Sequence, residues 1–275
     1  MTLYIVGLGL GDEKDITVRG LEAIQKSEKV FLEAYTSILS ISHQRLEAFY
    51  NKTILVADRN FVEGQAEQIY EPAKDGHVSF LVVGDPVCAT THTDLMIRAR
   101  DYGVSVEIIH NASVMGAVGS CGLQLYNFGA TISIPFFEDN WRPKSFYSKI
   151  EYNRNGGMHT LCLLDIKVKE PNFEAMKKGK MIFLPPRFMS VHTALEQLIE
   201  IESIEQNLAY DPKSTLCVGM ARLGQLDQCI KAGTMEELLK EDFGEPLHCI
   251  VICGETHELE REYLKQFIVQ DSQGL

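Results

Sequence analysis

Two short glycine motifs hold the chemistry that can be read from residue type and spacing. The first is Gly7-Leu8-Gly9-Leu10-Gly11-Asp12, directly after the apolar run Thr2–Val6. Glycine in such a loop admits positive φ and lets a ligand approach the backbone closely. A dinucleotide pyrophosphate is one candidate, and Glu33, roughly 20 residues on, stands where a ribose-binding acid would. Three features count against it. The third glycine follows the second by two residues rather than three, and Asp12 would face the phosphates. The next helix is expected to open near Asp15 or Ile16, too late for its N-terminus to hold them. A sulfonium cofactor suits the residues better: it has no phosphate, and an acidic cleft favours its positive charge. A tight strand–helix turn with no ligand is the plain alternative.

The second motif, Gly84-Asp85-Pro86, closes the strongly apolar run Phe80–Val83. The carboxyl end of a parallel strand is where open α/β sheets bind ligands. Pro86 fixes the turn, and Asp85 either orients a ligand or caps the segment that follows. By itself the motif supports a purely structural turn equally well.

These loops need a framework. Strands are expected at Thr2–Val6, Lys29–Leu32, Thr53–Val56, Val78–Val83 and Val104–Ile109, with helices between several of them. Ile16–Lys26 reads as a helix capped by Asp15, with Val18, Leu21 and Ile24 on its apolar face, and Asp94–Tyr102 as another. Short β-rich runs separated by helices imply a parallel sheet covered on both faces. After Asn111 the pattern changes. Val114–Tyr126 reads as a helix and Thr131–Ile134 as a strand, followed by a series at His159–Leu164, Val191–Ile201, Thr215–Met220, Met235–Lys240 and His248–Cys253. The reading is two α/β domains, 1–112 and 113–275.

Composition narrows the classes. The chain has 275 residues, 45% of them hydrophobic, enough for one large or two ordinary domains. Its 26 Lys+Arg against 38 Asp+Glu leave a net charge of −12, which argues against a nucleic-acid or anionic-membrane partner. The N-terminus has no basic leader and no apolar run reaches membrane-spanning length, so a cytoplasmic location is expected. The cysteines Cys88, Cys121, Cys162, Cys217, Cys229, Cys249 and Cys253 are odd in number and include no CxxC. They read as buried, reduced thiols, with no metal site.

Taken together, the GLGLGD loop, the GDP turn and His110-Asn111-Ala112-Ser113 resemble the tetrapyrrole-methylase family. The likeness is narrower still at Glu33-Ala34-Tyr35-Thr36-Ser37, Ala89-Thr90-Thr91-His92, Gly122–Tyr126, Trp141-Arg142-Pro143, Met158–Lys167, Pro185-Pro186-Arg187 and Gly244–His248. These blocks are similar to the diphthine-synthase branch of that family. The resemblance implies a homodimer with S-adenosyl-L-methionine in a cleft between the two α/β domains, S-adenosyl-L-homocysteine being the product. It implies a substrate too: the 3-amino-3-carboxypropyl histidine of translation elongation factor 2, an intermediate of diphthamide biosynthesis. The amine is methylated to a trimethylammonium and the carboxylate then to a methyl ester.

Carried over by motif, the cofactor contacts are Leu10, Asp85, Cys88, Ser113, Val114, Leu164, Leu223 and His248. Cys88 departs from the glycine often found there. Without the resemblance, Leu10, Val114, Leu164 and Leu223 would be ordinary core, Ser113 a helix cap, and His248 a satisfied core histidine. His92 and His159 lie beside motif blocks without identifying themselves as bases. Lys167, Lys169, Lys177, Lys178, Lys180 and Arg187 form a basic island, either a solvated face or a docking surface.

Methyl transfer from a sulfonium needs no acid, so catalysis rests on alignment in a water-poor cleft. The amine must lose protons between rounds, and no residue stands out as their acceptor; the carboxylate is already ionised and needs none. A small-molecule or tetrapyrrole methyltransferase of the same fold, and a non-catalytic nucleotide-binding module, are the rival readings.

Overall fold

The computed structural model describes residues 1–177, 179–180 and 182–269. The chain forms two compact units. Unit 1 is Met1–Ala117 with two later additions, Val168–Pro185 and Gly224–Leu226. Unit 2 is Val118–Lys167, Pro186–Leu223 and the chain from Asp227 on. A division at 112/113 puts residues 113–117 and both additions in the second domain, whereas they group with unit 1.

Unit 1 begins β1 (Thr2–Gly7), α1 (Val18–Lys26), β2 (Lys29–Glu33), α2 (His43–Tyr50), β3 (Ile54–Ala57), α3 (Arg59–Gly64) and α4 (Glu67–Tyr70). It continues with β4 (His77–Val82), α5 (Thr93–Asp101), β5 (Ser105–Ile109) and the short α6 (Val114–Ala117). The five strands form one parallel sheet in the order β3-β2-β4-β1-β5. Both faces are buried along the central strands β2, β4 and β1, while the edge strands β3 and β5 are partly exposed. Leu3, Ile5, Phe80 and Val82 pack on one side; Val6, Leu8, Val30 and Leu81 on the other. This is the doubly covered sheet that the strand runs imply.

Helix α1 differs in detail from its expectation. Its cap is Thr17, whose hydroxyl accepts the N–H of Gly20 at 3.0 Å, and not Asp15. Val18 is exposed, so the buried stripe is Gly20, Ala23 and Ile24. Asp15 is left with another task, described below.

Unit 2 contains β6 (Ile132–Ile134), α7 (Tyr147–Asn155), β7 (Thr160–Leu164) and β8 (Ile166–Lys167). The chain visits unit 1 through α8 (Phe173–Lys177). It returns with β9 (Arg187–Phe188), α9 (Val191–Glu205), β10 (Leu216–Ala221), β11 (Cys229–Thr234), α10 (Met235–Leu238), β12 (His248–Ile252) and α11 (Glu258–Leu264). Its sheet runs β11-β10-β12-β7-β6 and is mixed: β6 and β7 are parallel, the other pairs antiparallel. Leu195, Leu198, Cys217, Ile250 and Ile252 belong to its core.

The expected helix Val114–Tyr126 is not one helix. It is a single α turn, then the 3-10 turns Val118–Cys121 and Leu125–Asn127. Gly122 sits between them at φ +92°, and a Cβ there would lie 2.2 Å from the Tyr263 ring. Its glycines break the helix that its apolar periodicity implies.

Candidate active site

In the unit 1 sheet the neighbouring strands β1 and β4 send their connections in opposite directions. From β1 the chain passes over β4 to reach β2; from β4 it passes over β1 to reach β5. The crevice outside the carboxyl ends of such a pair is the expected ligand site of an open α/β sheet. The GLGLGD loop follows β1, and the GDP turn follows β4.

The two loops are stitched together. The N–H of Gly9 donates to the Gly84 carbonyl at 3.2 Å, and the N–H of Gly84 to the Gly9 carbonyl at 2.8 Å. Gly7 permits the approach, since a Cβ there would fall 2.7 Å from the Gly84 oxygen. The loop after β5 closes the set through Asn111. Its side-chain amide donates to the carbonyls of Gly7 at 2.9 Å and Asp15 at 3.0 Å.

Asp85 is the second brace. One carboxylate oxygen accepts the N–H of Val87 at 3.0 Å; the other accepts His110 Nδ1 at 2.8 Å and the N–H of Asn111 at 3.1 Å. Burial pushes this carboxyl up, but the bonds from Val87, His110 and Asn111 outweigh it and hold it below the usual carboxylate range. The carboxylate is therefore an ionised strut.

The glycine loop carries an internal anion. The Asp15 carboxylate folds back to accept the N–H groups of Leu10 and Gly11. Those are the donors that a pyrophosphate would use, and they are already taken. Leu10 and Ser113 flank Gly84: a Cβ on Gly84 would lie 3.9 Å from Leu10 Cδ2 and 3.8 Å from Ser113 Cβ. Cys88 is half-buried on the loop after the GDP turn, and its backbone N–H donates to the Asp85 carbonyl. Val114 is half-buried at the start of α6. Unit 1 thus gathers Leu10, Asp85 and Ser113 around one pair of loops, with Cys88 and Val114 on their continuations.

In unit 2, strand register gathers the other three. Ala221 pairs with His248, and Leu163 with Cys249. Leu164, Leu223 and His248 therefore lie along one edge of that sheet. Leu164 and Leu223 are buried. His248 accepts the N–H of Val191 at Nδ1, 3.2 Å, and its Nε2 lies 3.1 and 3.0 Å from the carbonyls of Gly244 and Glu245. This fixes a neutral ring with the proton on Nε2. Burial lowers its pKa, as that tautomer requires. The ring is fully engaged, so the side chain pins its own loops.

His92 and His159 are both buried. His92 Nδ1 lies 3.3 Å from the Pro86 carbonyl, which also accepts the Thr90 hydroxyl at 2.6 Å; the ring secures the GDP loop. His159 accepts the N–H of Gly254 at 3.0 Å and lies 3.4 Å from Glu260. It belongs to unit 2 packing. In the basic island, Lys169 pairs with Asp58, and its ammonium stands 4.7 Å from the Phe183 ring centroid. Lys167 pairs with Asp165 at 3.6 Å, and Arg187 with Glu138 at 3.9 Å. Lys178 lies outside the described residues.

Sequence reasoning missed Asp15 and Asn111 as braces. For Asn111 a signal existed, because an amide beside the domain boundary can both donate and accept. For Asp15 there was none, because its role depends on a fold-back visible only in three dimensions.

Residues 2–239 match the model of the Tetrapyrrole (Corrin/Porphyrin) Methylases. The chain is 56% identical to the diphthine methyl ester synthase of Dictyostelium discoideum, over 98% of this chain and 99% of that one. It is 52% identical to the diphthine methyl ester synthase of Homo sapiens, over 98% and 96%. A crystal structure of diphthine synthase superimposes with a TM-score of 0.83 at 35% identity, covering 98% of this chain and 96% of that one.

Proposed function

Since the chain belongs to the tetrapyrrole methylase family, and within it to the diphthine methyl ester synthases, we propose that it acts as an S-adenosylmethionine-dependent methyltransferase on elongation factor 2. The residue modified is the 3-amino-3-carboxypropyl histidine. Its amine is taken to trimethylammonium and its carboxylate to the methyl ester, in diphthamide biosynthesis. The enzyme works in the cytoplasm, as a homodimer.

One observation carries the choice of cofactor. In the loop after β1, the N–H groups of Leu10 and Gly11 are closed by Asp15, so the loop repels phosphate and accommodates a cation. S-adenosylmethionine fits those residues. Leu10, Asp85, Cys88, Ser113 and Val114 of unit 1, and Leu164, Leu223 and His248 of unit 2, would hold it. Asp85 and His248 contribute through their backbones. When bound, the cofactor supplies an electrophilic methyl group on sulfur. The protein's part is to orient the nucleophile, exclude water and take up protons from the amine. The island at Lys167, Lys169, Lys177, Lys180 and Arg187 is the docking rim for the protein substrate.

The deciding experiment combines the protein and S-adenosylmethionine with elongation factor 2 bearing the unmethylated side chain. Intact mass should rise in methyl steps and end in a base-labile ester. Methylation of a tetrapyrrole with no gain on the elongation factor would defeat the assignment while sparing the family.

A further inference from the structure

Methylation of an amine requires that each ammonium lose a proton before the next transfer, whereas methylation of a carboxylate does not. In the braced loops around Asp85, both Asp85 oxygens accept N–H donors and Asp15 Oδ2 accepts two backbone N–H groups, so these carboxylates hold the loops together. The neighbouring strand offers a different arrangement.

Glu33 closes β2, the strand beside β4, at the same carboxyl edge as the GDP turn. Its side chain is buried, 1% exposed. Oε1 accepts the N–H groups of Tyr35 at 3.0 Å and Thr36 at 2.6 Å. Oε2 accepts only the Thr36 hydroxyl, at 2.9 Å, which leaves it a lone pair. Thr36 itself is half-buried. The turn is tied to the GDP loop, because the Tyr35 hydroxyl bonds Thr91 and the Tyr35 ring meets the His92 ring at 6.3 Å. A buried carboxylate is a costly way to fix a turn, and neutral Asn or Ser would make similar bonds without burying a charge.

The geometry points to the Thr36 hydroxyl, backed by the Glu33 carboxylate, as the relay that takes protons from the substrate amine; the inference rests on the methyltransferase reading above. An ammonium at Thr36 gives a proton to Oγ1 as the Thr36 O–H proton moves to Glu33 Oε2. The N–H electron pair stays on nitrogen as the lone pair that accepts the methyl group. Glu33 returns its proton to water before the next round. Burial raises the Glu33 carboxyl above its usual range, against the lowering pull of the Thr36 and Tyr35 bonds and of Arg59. A raised carboxyl is a better acceptor near neutral pH. The charged and titratable groups facing this turn are Arg59, whose guanidinium lies 5.4 Å from the Tyr35 ring centroid, Glu63, which acts on Tyr35, and His92, kept neutral by burial.

The test separates the two kinds of methyl transfer. Glu33→Gln keeps a carbonyl acceptor for the two N–H groups and removes the proton acceptor. Thr36→Val is the second variant and Thr36→Ser the conservative control. On elongation factor 2 with the unmethylated side chain, Glu33→Gln and Thr36→Val should slow amine methylation about 100-fold or more. Both should shift the acid limb of its pH profile upward, towards the titration of the free substrate amine, and Thr36→Ser should retain the wild-type rate and profile. On elongation factor already carrying the trimethylammonium, ester formation should proceed at the wild-type rate. Affinity for S-adenosylhomocysteine, by calorimetry, should not change. Equal slowing of amine and carboxylate methylation, or no slowing of either, overturns the relay. Wild-type protein that leaves the elongation factor unmodified sinks the methyltransferase assignment instead, and the relay with it.

Discussion

The Asp15 carboxylate accepts the backbone N–H of Gly11 at 2.7 Å and that of Leu10 at 3.1 Å, so the glycine loop holds an anion of its own. A phosphate brought there meets a carboxylate in place of free donors, and like charges brought together at a binding site cost several kcal/mol. Nicotinamide dinucleotides should therefore bind at least about 100-fold more weakly than S-adenosylhomocysteine, a gap of ~2.7 kcal/mol. Calorimetry on the purified protein measures both. Comparable affinities would mean that Asp15 swings away in solution.

Two glycines of the loops should respond very differently to alanine. Both have positive φ, +78° at Gly9 and +77° at Gly84. A Cβ at Gly9 would sit 2.6 Å from Asp15 Cβ, whereas at Gly84 the nearest atom is 3.8 Å away. Gly84→Ala should cost about 1 kcal/mol of backbone strain, and Gly9→Ala about 3 kcal/mol because clash is added to strain. Chemical denaturation gives both values. Equal losses would show that the Gly9–Asp15 contact relaxes freely.

Acid should weaken the fold earlier than its carboxylates alone imply. His92 and His159 are buried and His248 is half-buried, and burial lowers the pKa of each below that of an ordinary imidazole. A histidine with a depressed folded pKa contributes stability that is complete above its unfolded value. That stability is lost as pH falls through the folded value. Protonated His159 and His248 would also forfeit the N–H bonds they accept from Gly254 and Val191. Melting temperature should thus decline from about pH 6 downward, and less so in His159→Gln. A flat profile across that range would show that the rings gain partners when charged.

Thiol reactivity should divide sharply. Cys121, Cys162, Cys217, Cys249 and Cys253 are buried; Cys88 and Cys229 are half-buried. Burial pushes the Cys217 and Cys249 thiols up to about 12 and raises the other three buried thiols too. An alkylating reagent should label Cys88 and Cys229 in the native protein and the other five only after unfolding. S-adenosylhomocysteine should slow labelling of Cys88 and leave Cys229 alone. Equal protection of both, or of neither, would remove Cys88 from the proposed contacts.

Much of unit 1 is legible in the sequence because parallel strands buried on both faces are continuous apolar runs. The five expected strands all form, with ends shifted by a residue or so. Unit 2 is harder. Strand Cys229–Thr234 alternates weakly around Lys231, and helix Tyr147–Asn155 is polar over most of its surface; neither stands out by periodicity. Composition also hides the difference between a parallel and a mixed sheet. Within the candidate site, glycine spacing located the loops, but not the hydrogen bonds that use up Asp85 and His248. A motif records which residue types are required, whereas the partners of a carboxylate or an imidazole depend on loops distant in sequence.

The two late additions to unit 1 affect how the protein is made. Lys169 comes back to pair with Asp58, and Gln225 accepts the hydroxyl of Ser40 at 2.7 Å. A ribosome that has delivered Ala117 must still add the chain through Leu226 before unit 1 has all its parts. At about 5–20 residues per second that interval is roughly 5–20 s. During synthesis the first half of the chain is therefore an open-ended intermediate, and a fragment cut at Ala117 would lack the partners that Asp58 and Ser40 have in the finished unit.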